Sequence, residues 1–301
     1  MPELPEVENL RMGLSRVIVS QKIRDIKIQK PKLVSGKSTK RTISKQKNLE
    51  FIRGLTGERF LSIDRRAKNL IFTLSHGKMI LVHLKMSGQF VYKPKKRDVS
   101  QLISGGHPIE LSETMLPNKH SHVIFELEKG TLFYNDTRMF GYLLYYKDIK
   151  NFEKENHFEK LGVEPFDKKF TVKYFGQELQ KYKGKIKAVL MEQKIVTGLG
   201  NIYADESLFE SRIRPERNAS TLSTLEVNKL HKAILRILKK AVKVGGSSVA
   251  TYRLLDDSRG NYAREHKVYG KDGEMCVNCK RPLKKIIVGG RTTIFCPNCQ
   301  K

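Results

Sequence analysis

Long apolar runs are missing from this chain. No stretch approaches the roughly 20 residues that a membrane helix needs. No charged segment followed by an apolar one precedes the first motif, as a signal peptide would require. The expectation is a soluble, intracellular protein of the cytoplasm or nucleoid, with no membrane partner. Cysteine is almost missing too: there are four in 301 residues, none before Cys276. Disulfide frameworks belong to secreted chains, so this clustering argues against one and for a metal site. Acidic residues are in short supply, with 31 Asp and Glu against 58 Lys and Arg, leaving a net charge of +27. That imbalance points to a polyanionic partner, nucleic acid by default. A ribosomal or membrane-surface protein would carry the same surplus, so charge sets the partner class only. Tryptophan is absent, and nothing follows from that.

What is present begins at the amino terminus, Met1-Pro2-Glu3-Leu4-Pro5-Glu6-Val7-Glu8. If Met1 is removed, Pro2 becomes a free secondary amine. An α-amino group has a pKa near ~8, against ~10.4 for lysine, so far more of it is unprotonated at neutral pH. Such an amine can attack a sugar C1′ and leave an iminium, and Glu3 beside it can move protons. The plainer reading is a helix start, with Pro5 in the first turn and Glu6 and Glu8 at the positive end of the dipole.

Val7, Leu10, Leu14, Val17 and Ile18 recur at helical spacing, which predicts an amphipathic helix over residues 5–19. Ile23, Ile26 and Ile28 suggest a strand, and residues 29–48 a polar loop, solvated or facing phosphate. From 58 to 92 the pattern turns to short β segments separated by turn signals. More strands are expected at 122–127, 131–134 and Tyr142–Tyr146, with Glu128-Lys129-Gly130 as a hairpin turn and 94–120 as an irregular insertion. Many short antiparallel strands at this spacing predict a β-sandwich. After a join at 147–170 the β pattern stops, and residues 172–180 and 186–194 read as helices. In Gly198-Leu199-Gly200-Asn201 the glycines permit close backbone approach. Asn201 suits an N-cap, which would leave outward-facing N–H groups for a phosphate. Ser223-Thr224-Leu225-Glu226 is a capping box opening a helix whose stripe of Leu230, Ile234, Ile237, Leu238, Ala241 and Val244 is core. Gly245-Gly246 ends it, and a polar stretch runs to Gly260. Cys276, Cys279, Cys296 and Cys299 form two C-x₂-C pairs. That spacing fits one zinc ion in a tetrahedral four-thiolate site with no open position, hence a structural one.

The PELPEVE start, Arg65-Arg66-Ala67-Lys68, His83-Leu84-Lys85-Met86-Ser87-Gly88, Asp136-Thr137-Arg138-Met139-Phe140-Gly141, Leu161-Gly162-Val163-Glu164-Pro165, GLGNIYADE at 198–206 and Gly289-Gly290-Arg291 occur in the order found in one family. The chain resembles the formamidopyrimidine-DNA glycosylases over nearly its whole length. The resemblance implies a multidomain α/β protein. An N-terminal antiparallel β-sandwich flanked by helices would span 2–148, and a helix–two-turn–helix domain 149–262, with a lesion-capping loop near 247–260. A Cys₄ zinc-ribbon hairpin would span 263–301. By the same resemblance Pro2 is the nucleophile, Glu3 protonates the sugar ring oxygen, and Lys68 contacts phosphate and assists base loss. Met86, Arg138 and Phe140 fill the gap left by a flipped nucleotide, and Asn201 and Arg291 bind phosphate. Lys187 handles the oxidised purine, and Glu206 lies at the edge of the active site. The implied partner is damaged double-stranded DNA, bound by a monomer in a cleft. Lys85 stands where the family often has glycine, and Met139 where it usually has a second basic residue. Two other readings stay open: an endonuclease VIII-like enzyme for oxidised pyrimidines, from which Leu4 leans away, and a non-catalytic binder of damaged DNA. A basic zinc-ribbon RNA-binding protein would explain charge and cysteines but not PELPEVE or GLGNIYADE.

Overall fold

In the computed structural model, residues 1–36, 43–95, 103–106, 116–247 and 261–301 are described. They form two compact units. One holds Met1–Pro2, Glu6–His157 and Gly245, Gly246 and Ser247; the other holds Glu3–Pro5, Phe158–Val244 and Asn261–Lys301.

In the first unit, helix α1 (Leu4–Ile18) has Glu6 in its first turn and Arg16 in its last, both matched to the helix dipole. Val7, Leu10, Leu14 and Ile18 on one face are buried. Beneath lie two antiparallel sheets. The first runs in the order β1 (Ile23–Ile28), β7 (Ser121–Leu127), β8 (Gly130–Asp136), β5 (Gly88–Pro94) and β6 (Ile103–Gly106). The second runs β2 (Phe60–Arg66), β3 (Asn69–Leu74), β4 (Met79–His83) and β9 (Tyr142–Tyr146). Phe60 and Phe72 of the second sheet meet Phe90 and Phe125 of the first. Ring centroids are 5.8 Å apart for Phe72–Phe90 and 6.4 Å for Phe60–Phe125. All four rings are fully buried. Each is worth on the order of 1.5–3 kcal/mol over its exposed state, which is why the sheets close face to face.

Helix α2 (Lys45–Leu55) departs from expectation; it begins inside the stretch read as a polar loop. Its sequence is charged, and Phe51 and Leu55 alone are buried. Phe51 packs on Phe125 and Tyr145, while the Ser44 side chain caps the helix by accepting from Lys47 N. Two burial positions in eleven residues are too few for a periodic signal. Strand β6 likewise falls inside the presumed irregular insertion and pairs with β5. The short helix α3 (Ile149–Lys154) is capped by Asp148.

The second unit contains α4 (Val172–Gln180), α5 (Ile186–Met191), α6 (Asn201–Glu210) and α7 (Thr224–Lys243), then the hairpin β10 (Lys284–Val288) and β11 (Arg291–Phe295). The capping box at Ser223 and Glu226 is present in both directions. Helix α5 stops three residues before the expected 194, because Gln193 adopts φ 64°. Its amide side chain then braces the following glycine turn, accepting from Gly198 N at 2.7 Å. No helix is long and apolar enough to cross a membrane among the described residues. The stretch 248–260, where a lesion-capping loop was expected, lies outside the described residues.

Candidate functional site

Glu3 is buried, and its carboxylate accepts hydrogen bonds from Gly200 N at 2.7 Å, Ile202 N at 2.9 Å and Tyr203 N at 3.3 Å. The expectation of a free, phosphate-ready amino end on α6 is therefore corrected. Gly200, not Asn201, is the N-cap residue and offers no side-chain cap. The N–H groups of Gly200, Ile202 and Tyr203 are already spent on Glu3, because a buried carboxylate needs donors. The two glycines of GLGN have their reason here. A Cβ on Gly200 would lie 2.5 Å from the Glu3 carboxyl carbon, and one on Gly198, at φ +87°, would lie 2.5 Å from Leu4 Cβ. Leu4 N also donates to Gly198 O at 2.9 Å. The residue after Pro2 is thus locked onto the GLGN turn. Pro2 itself is buried.

Asn201 is the first residue of α6, and its Nδ2 donates to Thr292 O at 3.1 Å. Lys187 is fully buried, 2.7 Å from Asp205, and donates to Thr293 Oγ1 at 2.7 Å and Thr292 O at 3.1 Å. Burial pushes the Asp205 carboxyl above its usual range, and the attraction of Lys187 partly offsets it. Asp205 also accepts from Ile294 N at 3.4 Å. The lysine was expected at a DNA-facing position; it lies inside, tying α5 and α6 to β11. Glu206 is buried as well, and it caps the Lys267-Val268-Tyr269 turn through three backbone N–H groups at 2.9–3.1 Å. Neither role left a spacing signal, since each links residues far apart in sequence. Arg291 is exposed at the hairpin tip, directly after Gly289 and Gly290 at φ 57° and 71°. Those are the φ signs a two-residue type I′ turn requires.

In the first unit, Arg66 pairs with Asn69, leaving Ala67 and Lys68 as the turn between β2 and β3. Ala67 takes φ 53°. Arg65 donates to Glu8 at 2.9 Å and to Ala67 O at 2.9 Å, bracing that turn from below. Burial would raise the Glu8 carboxyl, but hydrogen bonds and charge from Arg11 and Arg65 outweigh it and hold the carboxyl below its usual range. Arg65, expected in the phosphate clamp, is thus engaged with α1, while Lys68 sits in the turn, largely buried. His83 is held neutral, its pKa lowered to about 3 by burial and then by the charges of Lys85 and Lys68. Its Nδ1 accepts from Lys85 N at 3.0 Å. Lys85, where glycine was anticipated, occupies the left-handed region at φ 52°.

Met86 and Phe140 are 40% and 46% exposed, and both stand on the turns that join the strands of the two sheets. The Arg138 guanidinium stacks 4.8 Å from the Phe140 ring centroid. Met139, between them, turns inward at φ 53° and packs against the sandwich core. This explains why no second basic residue stands there.

The four cysteines are free thiols whose sulfurs all lie within 4.8 Å of one another. Sγ distances are 3.9 Å for Cys276–Cys299 and 3.5 Å for Cys279–Cys296. Those are far beyond a disulfide and bracket the ~3.8 Å edge of a tetrahedron with metal–sulfur bonds near 2.3 Å. The residues therefore fit a single zinc ion. The apolar cluster around them is small, with Phe209, Val268, Leu283 and Ile294 beside two of the cysteines.

Three family models match the chain. They describe a formamidopyrimidine-DNA glycosylase N-terminal domain over residues 1–143, a formamidopyrimidine-DNA glycosylase H2TH domain over 161–253, and a zinc finger found in FPG and IleRS over 273–301. A formamidopyrimidine-DNA glycosylase of Desulfitobacterium hafniense is 37% identical over 300 residues, covering 100% of both chains. One of Listeria monocytogenes is 38% identical over 305 residues with the same coverage. Among solved structures, the Lactococcus lactis Fpg in complex with DNA containing an abasic site has a TM-score of 0.85 at 35% identity, covering 99% of each chain. The wild-type enzyme of that organism with DNA containing N7-benzyl-Fapy-dG has a TM-score of 0.84 at 35% identity, covering 100% of each.

Proposed function

The chain belongs to the formamidopyrimidine-DNA glycosylase family, and from that premise we propose that it excises oxidised purines from duplex DNA and then cuts the abasic strand, acting as a monomer. It is a zinc-finger DNA-repair glycosylase. The observation that carries the finer reading is the placement of Glu3. Its carboxylate is fixed by Gly200 N of the GLGN turn and by Ile202 N and Tyr203 N at the start of α6, so the residue before it, Pro2, has a defined position in place of a frayed end.

With Met1 removed, the Pro2 nitrogen attacks C1′ of the damaged nucleoside. The C1′–N bond breaks and the base departs with the bonding electron pair, taking a proton from solvent; the Glu3 carboxylate takes the proton that the Pro2 nitrogen releases and passes it to the ring oxygen as the sugar opens. The product is an iminium between Pro2 N and C1′. Its electron demand acidifies C2′. Loss of that proton expels the 3′ phosphate, and a further elimination expels the 5′ phosphate. Lys68, Asn201 and Arg291 hold phosphates near the lesion, while Lys187, buried against Asp205, stays out of reach of the base. Met86, Arg138 and Phe140 occupy the space the extruded nucleotide leaves. Zinc held by Cys276, Cys279, Cys296 and Cys299 keeps the hairpin folded and takes no part in bond breaking.

Duplexes carrying formamidopyrimidine, 8-oxoguanine or thymine glycol at one site test the substrate class. Single-turnover excision should favour the two purine lesions by at least ~30-fold, the scale that a lost set of buried hydrogen bonds allows. Equal or faster release of thymine glycol would favour the oxidised-pyrimidine reading.

A further inference from the structure

We infer that Asp136 is a positioning residue: one buried carboxylate fixes both segments that carry Met86, Arg138 and Phe140, so that they enter a duplex as a preformed unit. The inference rests on the duplex-entering role proposed for those three residues.

Asp136 ends β8 and is completely buried. Its Oδ1 accepts from Ser87 Oγ, from Arg138 N at 3.2 Å and from Met139 N at 3.0 Å. Its Oδ2 accepts from Gly141 N at 2.8 Å and, more weakly, from Tyr134 OH at 3.5 Å. The backbone is held as well. Asp136 N donates to His120 O at 3.1 Å, and His122 Nε2 donates to Asp136 O at 2.9 Å. Ser87, directly after Met86, closes the circuit by also accepting from Arg138 N at 3.1 Å. The β4–β5 turn and the β8–β9 loop therefore share a single anchor. The floor beneath them is the Tyr134 hydroxyl. A Cβ on Gly88 would come within 2.7 Å of it and one on Gly141 within 1.8 Å, so both segments need glycine to seat there.

The exposed side chains have no such support of their own. Phe140 and Met86 project into solvent, and Arg138 stacks on Phe140. A wedge that must unstack a base pair works only if its backbone does not yield, because energy lost in loop rearrangement is unavailable for unstacking. Aspartate supplies acceptors on both oxygens. Asparagine has the same shape but presents an amide nitrogen to one set of donors, so it breaks the circuit without creating a cavity.

The test uses the full-length, zinc-loaded protein and a duplex with an abasic-site analogue beside 2-aminopurine, whose fluorescence rises when it is unstacked. Asp136→Asn should lower at least tenfold the rate of the fluorescence rise on this duplex and of base excision from a second duplex carrying formamidopyrimidine. Cleavage of a preformed abasic site in single-stranded DNA, where no partner base has to be displaced, should stay within twofold. Ser87→Ala should follow in the same direction with a smaller effect, and it decides the matter alone if Asp136→Asn does not fold. Wild-type unstacking by either folded variant, or a parallel loss of duplex and single-strand cleavage, overturns the inference. Phe140→Ala and Met86→Ala serve as the reference. If those two unstack DNA as the wild type does, the duplex-entering reading fails first.

Discussion

Removing the zinc, by a strong chelator or by Cys296→Ala, is expected to unfold the β10–β11 hairpin and to weaken binding to damaged duplex by at least ~100-fold. The hairpin has two strands of five residues each, and an isolated two-stranded hairpin is at best marginal in water. Its apolar cluster is too small to replace the metal, and two of its members are ligand cysteines. Structural zinc in small fingers contributes on the order of 10 kcal/mol or more of apparent binding free energy. Arg291 stands on this hairpin, and the Thr292 and Thr293 groups that Asn201 and Lys187 bond are its residues too. Helix content, read by far-UV circular dichroism, should stay close to that of the metal-bound protein, because the core of Phe175, Tyr203, Leu230, Ile234 and Leu238 does not involve the metal. Loss of amide protection over 284–295 together with lost affinity is the predicted pair of results. Unchanged affinity in a sample shown to be zinc-free would contradict it.

Breaking the Lys187–Asp205 pair from one side should be the most costly single change in the second unit. Asp205→Ala leaves an ammonium group buried beside hydroxyl and carbonyl oxygens, and Lys187→Met leaves a buried carboxylate with one backbone donor. Either should cost about 3–5 kcal/mol, the scale measured when half of a buried pair is removed. Replacing both, as Lys187→Met with Asp205→Leu, should recover most of that loss, since two apolar side chains need no partner. Chemical denaturation followed by helix signal measures all three. The expected signature is strong non-additivity, and a double variant as unstable as the sum of the singles would refute the buried-pair account.

Much of this architecture is legible in the amino-acid sequence. The core stripe of α7 carries a 3.6-residue period and an explicit capping box. The strands around Phe72 and Phe90 alternate or run apolar between turn residues. The cysteine spacing speaks for itself. What is not legible depends on partners distant in sequence. Glu3 reads as a carboxylate placed beside Pro2 for proton transfer, and nothing near it announces that Gly200, Ile202 and Tyr203 donate to it. Asn201 has the composition of an N-cap, yet a carboxylate from the chain start takes that office. Asp136 sits in a motif whose arginine and phenylalanine draw attention, while its own work is done with Ser87, 49 positions away. Glu6, seemingly a dipole-matching residue, accepts from Ser247 N, 241 positions on. Helix α2 escapes detection for a different reason: a helix that buries only Phe51 and Leu55 has no stripe to find.

The central claim is that the amino group of Pro2, once Met1 is gone, is the atom that joins DNA. Borohydride reduction of a mixture with abasic-site duplex, followed by intact-mass measurement and peptide mapping, tests it in one experiment. The account predicts a stable one-to-one adduct on chains lacking Met1, confined to the peptide that begins at Pro2, and absent from chains that keep Met1, whose Pro2 nitrogen is an amide. An adduct mapped to an internal lysine such as Lys68, or tight binding with no adduct at all, would contradict it.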